Sequence, residues 1–294
     1  MGLEIYQLSK SFGETKAVKN LSFSLKKGEV LGLLGRNGAG KTTTIKMLLC
    51  LLSPDRGEIT WEGKRLDQAN VSIGYLPEER GLYPKTKIVT QLRYFGELEG
   101  MSRKQVDEAI DHWLEKLEIT EYKTKKANEL SKGNQQKIQL IATLLHDPEL
   151  IILDEPFSGL DPVNANLLSL IIEEQIKAGK TVMLSSHRME QIESFCEHIC
   201  LMKKGEAIVK GRLDQIKQDY GFRNLTISNS EAVEAALHDW NIPFEKGQAD
   251  IVVKVTNDKE AIQLLNRFEE RSIPIRNFRM LEPTLNEIFI EKVG

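Results

Sequence analysis

The chain has 294 residues, of which 40% are hydrophobic and 28% charged, a composition typical of a globular protein and unlike a disordered or fibrous one. Its formal net charge of -3, from 40 basic and 43 acidic residues, provides no strong field to attract nucleic acid or anionic lipid. Three cysteines without a CxxC pair disfavour both a disulfide scaffold and a zinc site.

The N-terminal part of the chain has the pattern of a β-hairpin followed by a strand, a loop and a helix. Residues 3–8 and 18–25 carry alternating or clustered apolar side chains around a turn-like stretch at residues 12–14, which predicts an antiparallel hairpin. Residues 30–34 are a short apolar run that ends in a glycine-rich loop. Residues 42–52 follow with the apolar spacing of a helix.

The middle of the chain, from about residue 84 to 145, has amphipathic segments and no strand pattern, which predicts a helical insert. The predicted helices cover residues 88–99, 103–117 and 134–145. Residues 150–153 and 181–185 are then short apolar or β-branched runs separated by a helical stretch. Such runs are typical of buried parallel strands in βαβ units, so we expect the central sheet to resume after the insert.

The last part of the chain predicts a small α+β domain. Its expected strands are residues 225–227, 251–255 and 273–278, and its expected helices are residues 231–240 and 259–271. The polar stretch before it ends in glycine, as linkers do. The sequence thus predicts a first domain over residues 1–216 and a second over residues 222–294.

Residues 35–42 fit the P-loop pattern, because glycines stand at both ends and a Lys-Thr pair closes it. The glycines let successive N–H groups point at phosphate oxygens, and the following helix adds its positive N-terminal end. Lys41 is expected to reach the β- and γ-phosphates and Thr42 to offer its hydroxyl to Mg²⁺. The alternative is a glycine-rich surface turn. The predicted ATP-binding residues of the loop are Gly35, Arg36, Asn37, Gly38, Ala39, Gly40, Lys41, Thr42 and Thr43.

Two carboxylates end the apolar run at residues 150–153, and a buried strand seldom ends in acids without a cation nearby. Asp154 is expected to hold Mg²⁺ through water, and Glu155 to polarise the attacking water. His187 follows the next buried strand and is expected to hydrogen-bond the γ-phosphate. The predicted catalytic residues are therefore Glu155, His187 and Lys41. An ordinary acidic turn and a structural histidine are the alternatives.

Residues 130–137 resemble the signature motif of the ABC ATPases, usually Leu-Ser-Gly-Gly-Gln, and residues 158–161 resemble the D-loop of that family. The resemblance extends from residue 1 to about residue 215. It implies an α/β P-loop NTPase fold with an antiparallel β subdomain and a helical insert. It also implies that Phe12 stacks on adenine and that residues 73–78 form the Q-loop, where Glu78 replaces glutamine and faces the Mg²⁺ held by Thr42 and Asp154.

The signature segment has its own physical chemistry. A serine and a glycine just before a helix present a hydroxyl and free N–H groups, which suit an anion. The chain thus has two phosphate-binding segments but only one acidic strand in its sequence pattern. This predicts that two chains pair head to tail, so that each nucleotide lies between the P-loop of one chain and the signature of the other. Lys132 and Asn134 depart from the usual glycine and glutamine, which leaves a non-hydrolysing site as an alternative. The residues expected to act across the dimer are Ser131, Lys132, Gly133 and Asn134, and the predicted D-loop residues are Ser158 and Asp161.

The leading hypothesis is the ATP-hydrolysing subunit of an ABC transporter, with ATP and Mg²⁺ as cofactors. Residues 281–289 resemble the closing motif of the C-terminal domain in exporter-type ATPases of the drug, sodium and antibiotic-efflux branch. A soluble ABC ATPase of DNA repair or translation is the second hypothesis, and a GTPase or kinase-like P-loop protein is the third.

The expected partners are a second copy or a homologous ATPase subunit and a separate membrane permease, with no nucleic acid. Residues ~78 to 130 are expected to face that permease. The N-terminus lacks the pattern of a signal peptide, and no apolar run approaches the ~20 residues that cross a bilayer. We therefore expect a cytoplasmic protein that is peripheral on the inner face of the membrane.

Overall fold

The computed structural model describes residues 2–79 and 81–293, and the chain forms two compact units, Met1–Arg212 and Leu213–Gly294. The sequence-based boundary between residues 216 and 222 lies a few residues later. A helix that belongs to the second unit, Leu213–Gln218, follows directly on the last strand of the first unit, so the polar stretch is not the point of division.

The first unit contains ten strands and six α-helices among the residues that the structure describes. The strands are β1 (Gly2–Phe12), β2 (Thr15–Lys26), β3 (Val30–Leu34), β4 (Arg56–Trp61), β5 (Lys64–Arg65), β6 (Ile73–Leu76), β7 (Leu150–Asp154), β8 (Thr181–Ser186), β9 (His198–Lys203) and β10 (Glu206–Arg212). The helices are α1 (Lys41–Leu48), α2 (Ile88–Leu98), α3 (Arg103–Lys116), α4 (Lys132–Leu144), α5 (Pro162–Lys177) and α6 (Met189–Phe195).

Two sheets make up this unit. The first is antiparallel with the order β2-β1-β4-β5, and the predicted hairpin is confirmed as the pair β1 and β2. The second has the order β10-β9-β3-β8-β7-β6, in which only the pair β9 and β10 is antiparallel. The predicted parallel strands β7 and β8 are confirmed, and both are buried along their whole length, which explains their continuous apolar runs.

The order of the second sheet determines where functional residues meet. Strand β8 lies between β3 and β7, and all three run parallel. Their carboxyl ends therefore share one edge, which is where ligands bind in open α/β sheets. The core beneath that edge joins the hairpin to the sheet and to α1, and it includes Leu3, Leu21, Leu33, Ile45 and Ile152. Burial of these apolar side chains holds the edge rigid.

The helical insert is confirmed as α2, α3 and α4. A capping box between Ser102 and Gln105 starts α3. Arg93 of α2 and Asp107 of α3 then form a two-pronged ion pair, with Nε and Oδ1 2.5 Å apart and Nη2 and Oδ2 3.0 Å apart. Helices α2 and α3 of the insert are thus joined by an ion pair as well as by apolar packing.

Helix α1 is shorter than predicted, since it ends at Leu48 and not at residue 52. The backbone at Cys50 has a φ of 55°, and the N–H of Leu51 donates to the carbonyl of Lys46. A left-handed residue at C′, followed by a hydrogen bond from the C″ N–H to the C3 carbonyl, is the Schellman motif that ends many helices. A glycine usually occupies that position, and cysteine gave no such signal.

The second unit is an antiparallel sheet with helices, as expected. Its elements are α7 (Leu213–Gln218), β11 (Arg223–Ser228), α8 (Glu231–Asp239), β12 (Glu245–Lys246), β13 (Asp250–Val255), α9 (Asp258–Glu270), β14 (Phe278–Leu281) and α10 (Leu285–Val293). The sheet order is β12-β13-β11-β14, and its buried core includes Leu225, Ile227 and Phe268.

The strand predicted at residues 273–278 is wrong, because pairing begins only at Phe278. Pro274 has no N–H to donate to a ladder, and Ser272 before it has a φ of 56°. Ile273 and Ile275 are partly buried against the core of this unit, which accounts for the apolar pattern without a strand.

In the part of the chain that the structure describes, no helix combines the length and the apolar character needed to cross a bilayer.

Candidate nucleotide-binding site

A cavity of about 780 Å³ opens at the shared edge of β3 and β7, within the size range of small-molecule sites. It brings together residues that are 143 positions apart in the chain, from Phe12 to Glu155. The predicted residues that line it are Phe12, Arg36, Asn37, Gly38, Ala39, Gly40, Lys41, Thr42, Thr43, Glu78, Asp154 and Glu155. Gly35 stands at the start of the loop and is not part of the lining.

The loop between β3 and α1 needs its glycines for close approach and for left-handed backbone. Gly35 and Gly40 have φ angles of 153° and 107°. A Cβ at Gly35 would lie 2.7 Å from the carbonyl oxygen of Met202, and one at Gly40 would lie 2.5 Å from that of Ala17. Neither distance is possible for a side chain, so the tight curl of the loop depends on these two positions.

Lys41 is the first residue of α1, and its ammonium group is buried at the base of the cavity. Nζ donates to the carbonyl of Gly35 at 2.7 Å and lies 3.9 Å from Oε1 of Glu155. The cation therefore bridges the glycine loop and the acidic strand. A phosphate bound in the loop would meet this ammonium together with the N-terminal end of α1.

The acidic pair stands at the end of β7, with both side chains buried. Burial raises the pKa of the Asp154 carboxyl, and a hydrogen bond donated by the Ser185 hydroxyl partly offsets that rise. Glu155 has a φ of 48°, which is uncommon for a residue other than glycine, and its N–H donates to the Ser185 carbonyl at 3.0 Å. Such strained backbone is frequent at functional sites.

His187 lies beside the acidic pair but is not part of the cavity lining. Its Nδ1 is 2.8 Å from Oε2 of Glu155, and its side chain is 57% exposed. An ionised carboxylate only accepts, so Nδ1 carries the proton in this contact. Nε2 can donate to a phosphate oxygen, as predicted, only when the ring holds a second proton.

Ser185 is a residue of this site that the sequence did not reveal. It is fully buried, its hydroxyl donates to Oδ1 of Asp154, and the same oxygen lies 3.3 Å from the N–H of Glu155. The contact depends on the register that places Asp154 beside Ser185 in neighbouring strands. Nothing in the local sequence of β8 indicates this pairing.

Three lysines at the mouth of the cavity were also not predicted. Lys16 and Lys19 come from the hairpin, and Lys204 comes from the turn after β9, where its φ is 50°. Together with Arg36 and Lys41 they surround the cavity with positive charge, which suits a polyphosphate. Lys16 and Lys19 are three positions apart in β2, so the alternation of a strand does not predict that both face the cavity.

The predicted signature residues lie apart from this cavity, at the start of α4. The Ser131 hydroxyl caps the helix by accepting from the N–H of Asn134 at 3.3 Å, which leaves its own proton free to donate. A Cβ at Gly133 would lie 2.7 Å from the side-chain nitrogen of Asn164. Asn164 in turn donates to Asp161, which caps α5.

The predicted D-loop is thus linked to the predicted signature segment within one chain through Asn164. Ser158, the other predicted D-loop residue, donates its N–H to the carbonyl of Glu155 at 3.0 Å. The stretch from residue 155 to 161 therefore connects the acidic pair to the signature region. Ser131 and Lys132 are both exposed, so they are accessible to a partner.

Comparisons with known proteins agree with this geometry. A family model described as ABC transporter matches residues 18–158, and one described as the C-terminal domain of ATP-binding proteins of the DrrA1-3 type matches residues 211–293. The ABC transporter ATP-binding protein YhaQ of Bacillus subtilis is 43% identical over 294 residues, with 99% of this chain and 98% of that protein covered.

Two further comparisons are informative. The Nod factor export ATP-binding protein I of Bradyrhizobium diazoefficiens is 34% identical over 224 residues, with 75% of this chain and 73% of that protein covered. The solved structure of an ATP-binding subunit of an ABC transporter matches with a TM-score of 0.70 and 31% identity. That match covers 75% of this chain and 94% of the other.

Proposed function

The chain belongs to the family of ABC transporter ATP-binding proteins and is an ATPase subunit of a transporter, and we propose that it powers export as a Mg²⁺-dependent head-to-tail dimer on a separate membrane permease. The observation that carries the proposal is the convergence of the glycine loop, Lys41 and the acidic pair on one cavity. Membership in this family excludes the GTPase and kinase-like hypothesis. The family matches and relatives described above give no support to a role in DNA repair or translation.

Glu155 is the general base of the proposed mechanism. One of its oxygens faces Lys41 and the other contacts His187, so the carboxylate is held in a fixed position. A γ-phosphate would compete for Lys41 and release Oε1 to accept a proton from water. Proton transfer of this kind typically contributes 10²–10⁴ in rate.

Mg²⁺ suits the oxygen groups that line this cavity. The Thr42 hydroxyl and the carboxylates of Asp154 and Glu78 are the hard donors that this ion prefers, and Asp154 is a buried charge that gains from a cation. These three residues would hold the ion, which would neutralise charge on the β- and γ-phosphates when bound.

The dimer is proposed from the separation of the two phosphate-binding segments. Ser131, Lys132, Gly133 and Asn134 stand outside the cavity formed by the same chain, while their hydroxyl and N–H groups suit an anion. A second copy turned head to tail would bring these groups to the nucleotide. Phe12, half-exposed at the mouth of the cavity, is proposed to stack on adenine.

The family supports the proposed permease and the proposed direction of transport. Such subunits work with membrane proteins, and the export function named for the Bradyrhizobium relative, together with the match of the C-terminal unit, supports an exporter. The chain is then peripheral on the cytoplasmic face of the membrane, held there by the permease.

The test is Glu155→Gln in the full chain. We expect ATP binding to be retained and hydrolysis to fall at least ~100-fold, since the general base is lost while the glycine loop is untouched. Dimers should accumulate in ATP and Mg²⁺ and be visible by sedimentation. Glu173→Gln, a half-exposed side chain of α5 that does not line the cavity, is the matched control and should behave as the parent.

Two outcomes would contradict the proposal. Hydrolysis by Glu155→Gln at a rate close to that of the parent would exclude Glu155 as the base. A monomer at saturating ATP would exclude the head-to-tail dimer, even if the rate falls as expected.

A further inference from the structure

Helix α4 contacts the stretch after the acidic pair at two points. Gly133, Gln136 and Leu140 are three and four positions apart, so they lie on one face of the helix. That face packs on α5, since these three residues line a narrow cleft together with Asn164. The first point of contact is at Gly133, where a Cβ would lie 2.7 Å from Nδ2 of Asn164. The helix that begins in the predicted signature segment is therefore in close contact with the chain that follows β7.

The second point of contact is a hydrogen bond. The Gln136 side chain is 8% exposed, and its Nε2 donates to the carbonyl of Pro156 at 3.2 Å. Pro156 is itself buried, and no backbone N–H of residues 2–79 and 81–293 donates to that carbonyl. A buried carbonyl without a partner costs free energy comparable to a lost hydrogen bond. The Gln136 amide thus satisfies an acceptor that the surrounding backbone leaves unpaired.

The carbonyl that Gln136 holds belongs to the residue directly after the proposed base. Glu155 has a φ of 48°, and it precedes a proline, whose ring further restricts the backbone of the residue before it. A residue keeps such a conformation only when the surrounding contacts fix it. On one side, the N–H of Glu155 donates to the carbonyl of Ser185 at 3.0 Å. On the other side, the Gln136 amide holds the next residue of the chain.

The side-chain contacts of Glu155 do not replace this backbone contact. Its two oxygens face Lys41 and His187, and a γ-phosphate would compete for Lys41. The direction of the carboxylate would then depend more strongly on the backbone that carries it. Gln136 lies outside the lining of the nucleotide cavity, so a bound nucleotide would not displace its amide.

We propose that Gln136 is a positioning residue for ATP hydrolysis, which holds the backbone of Glu155 in the conformation that the general base requires. It acts through the carbonyl of Pro156. Because Gln136 lies on the same face of α4 as Gly133, the position of the predicted signature segment is linked to that of the base within one chain. This inference rests on the proposed function, which assigns Glu155 as the base.

The test is Gln136→Met in the full chain, because methionine is a flexible side chain of similar length without a donor. We expect kcat for ATP hydrolysis to fall by about 3- to 10-fold, since a single neutral hydrogen bond makes a modest contribution. KM for ATP should stay within about twofold of that of the parent, because the lost contact does not bind the nucleotide.

Thr143→Val is the matched control on the same helix. Thr143 is 3% exposed, and its hydroxyl lies 3.1 Å from the carbonyl of Tyr75 on β6. The variant also loses a buried hydrogen bond between α4 and a backbone carbonyl, but one that is not beside Glu155. It should therefore keep the kcat of the parent.

A second measurement separates positioning from a general effect on the structure. In Glu155→Gln, adding Gln136→Met should lower the residual rate by less than about twofold, because no carboxylate is left to position. ATP-driven dimerisation of Glu155→Gln, followed by sedimentation, should be the same with and without Gln136→Met. A residue that only supported the fold or the predicted signature segment would lower the rate in both backgrounds and weaken the dimer.

The proposal is overturned if Gln136→Met keeps a kcat within about twofold of the parent, or if the fall in rate is equal in both backgrounds. If Gln136→Met does not fold, Gln136→Glu takes its place, because an ionised carboxylate of the same shape cannot donate. The same fall in kcat with an unchanged KM is then expected. Loss of ATP binding in both variants would identify Gln136 as a residue of the fold and would equally overturn the proposal.

The proposed function can fail separately. A rate close to that of the parent in Glu155→Gln would refute the assignment of the base, and the positioning role with it. An inactive Glu155→Gln, together with a Gln136→Met that has the kcat of the parent, would overturn the role of Gln136 alone.

Discussion

Replacing Ser185 by alanine removes a hydroxyl that contacts both members of the acidic pair. The hydroxyl donates to Oδ1 of Asp154 and lies 3.3 Å from the N–H of Glu155. That N–H also donates to the backbone carbonyl of Ser185 at 3.0 Å, and this bond survives the substitution. The loss is therefore one hydrogen bond to a buried carboxylate and a longer one from the N–H of Glu155, which keeps its bond to the backbone carbonyl of Ser185.

The expected loss of activity follows mainly from the hydrogen bond to Asp154. A hydrogen bond to a charged group contributes about 1.5–3 kcal/mol. If the whole loss fell on the transition state, kcat would drop by about 10- to 150-fold, since 1.36 kcal/mol is a factor of ten. Because Asp154 can still bind a cation, we expect the lower end, a drop of about 10-fold. KM for ATP should change little, since the glycine loop and Lys41 keep their contacts.

The assay is steady-state ATP hydrolysis by three variants of the full chain. Ser185→Thr keeps the hydroxyl on a β-branched residue that suits a strand, so it should restore most of kcat. Ser186→Ala is the matched control, because Ser186 is also buried and its hydroxyl accepts from the N–H of Arg188 at 3.0 Å. Its effect should be smaller than that of Ser185→Ala.

A positioning role for Ser185 predicts a fall in kcat with a KM for ATP close to that of the parent. The reasoning would be refuted if Ser185→Ala hydrolysed ATP within about twofold of the parent. It would also be refuted if threonine failed to restore the rate, because the hydroxyl would then not be the group that matters.

Three further predictions test other parts of the chain. A chain ending at Arg212 should fold and bind ATP, because the cavity lies wholly within the first unit, and insolubility or loss of binding would contradict this. The hydrogen bond from Arg93 lowers the pKa of Asp107, so the pair stabilises the folded chain above the unfolded pKa of about 3.9 and less as pH falls through the lower folded value. Asp107→Asn should cost about 0.5–1 kcal/mol in urea unfolding at pH 7 and progressively less below pH 4. Lys132→Gly, combined with Glu155→Gln, should make ATP-driven dimerisation less sensitive to salt, and parallel salt dependences would show that Lys132 does not face the nucleotide.

The glycine loop and the acidic strand could be predicted because their signals are local. The loop needs a glycine at Gly35 partly because of its own backbone conformation, which has a φ of 153°. The acids Asp154 and Glu155 follow an apolar strand directly, so one short window contains the whole pattern. The parallel sheet then places these local features on one edge, and their convergence on one cavity follows from topology.

The features that escaped prediction depend on contacts between distant segments. The partner of Ser185 is set by the register of β7 against β8, which no local pattern specifies. A smaller cavity between β6, α2 and α4 needs these three elements in their final positions before Gln139 and His146 line it. The early end of α1 at Leu48 has a different cause. Cys50 adopts a left-handed backbone at a position where helices usually have glycine, so the sequence gives no stop signal there.

The strained residue Glu155 links the proposed dimer contact to catalysis. Its side chain is held by Lys41 and His187, and its carbonyl accepts from the N–H of Ser158. Six residues after it, Asp161 caps α5 and holds Asn164 against the signature glycine. A partner chain that docks beside the predicted signature segment would contact the short stretch from residue 155 to 161, which begins at Glu155. The proposed base is therefore held in position within one chain, while the proposed head-to-tail dimer would supply the second phosphate-binding segment from the other.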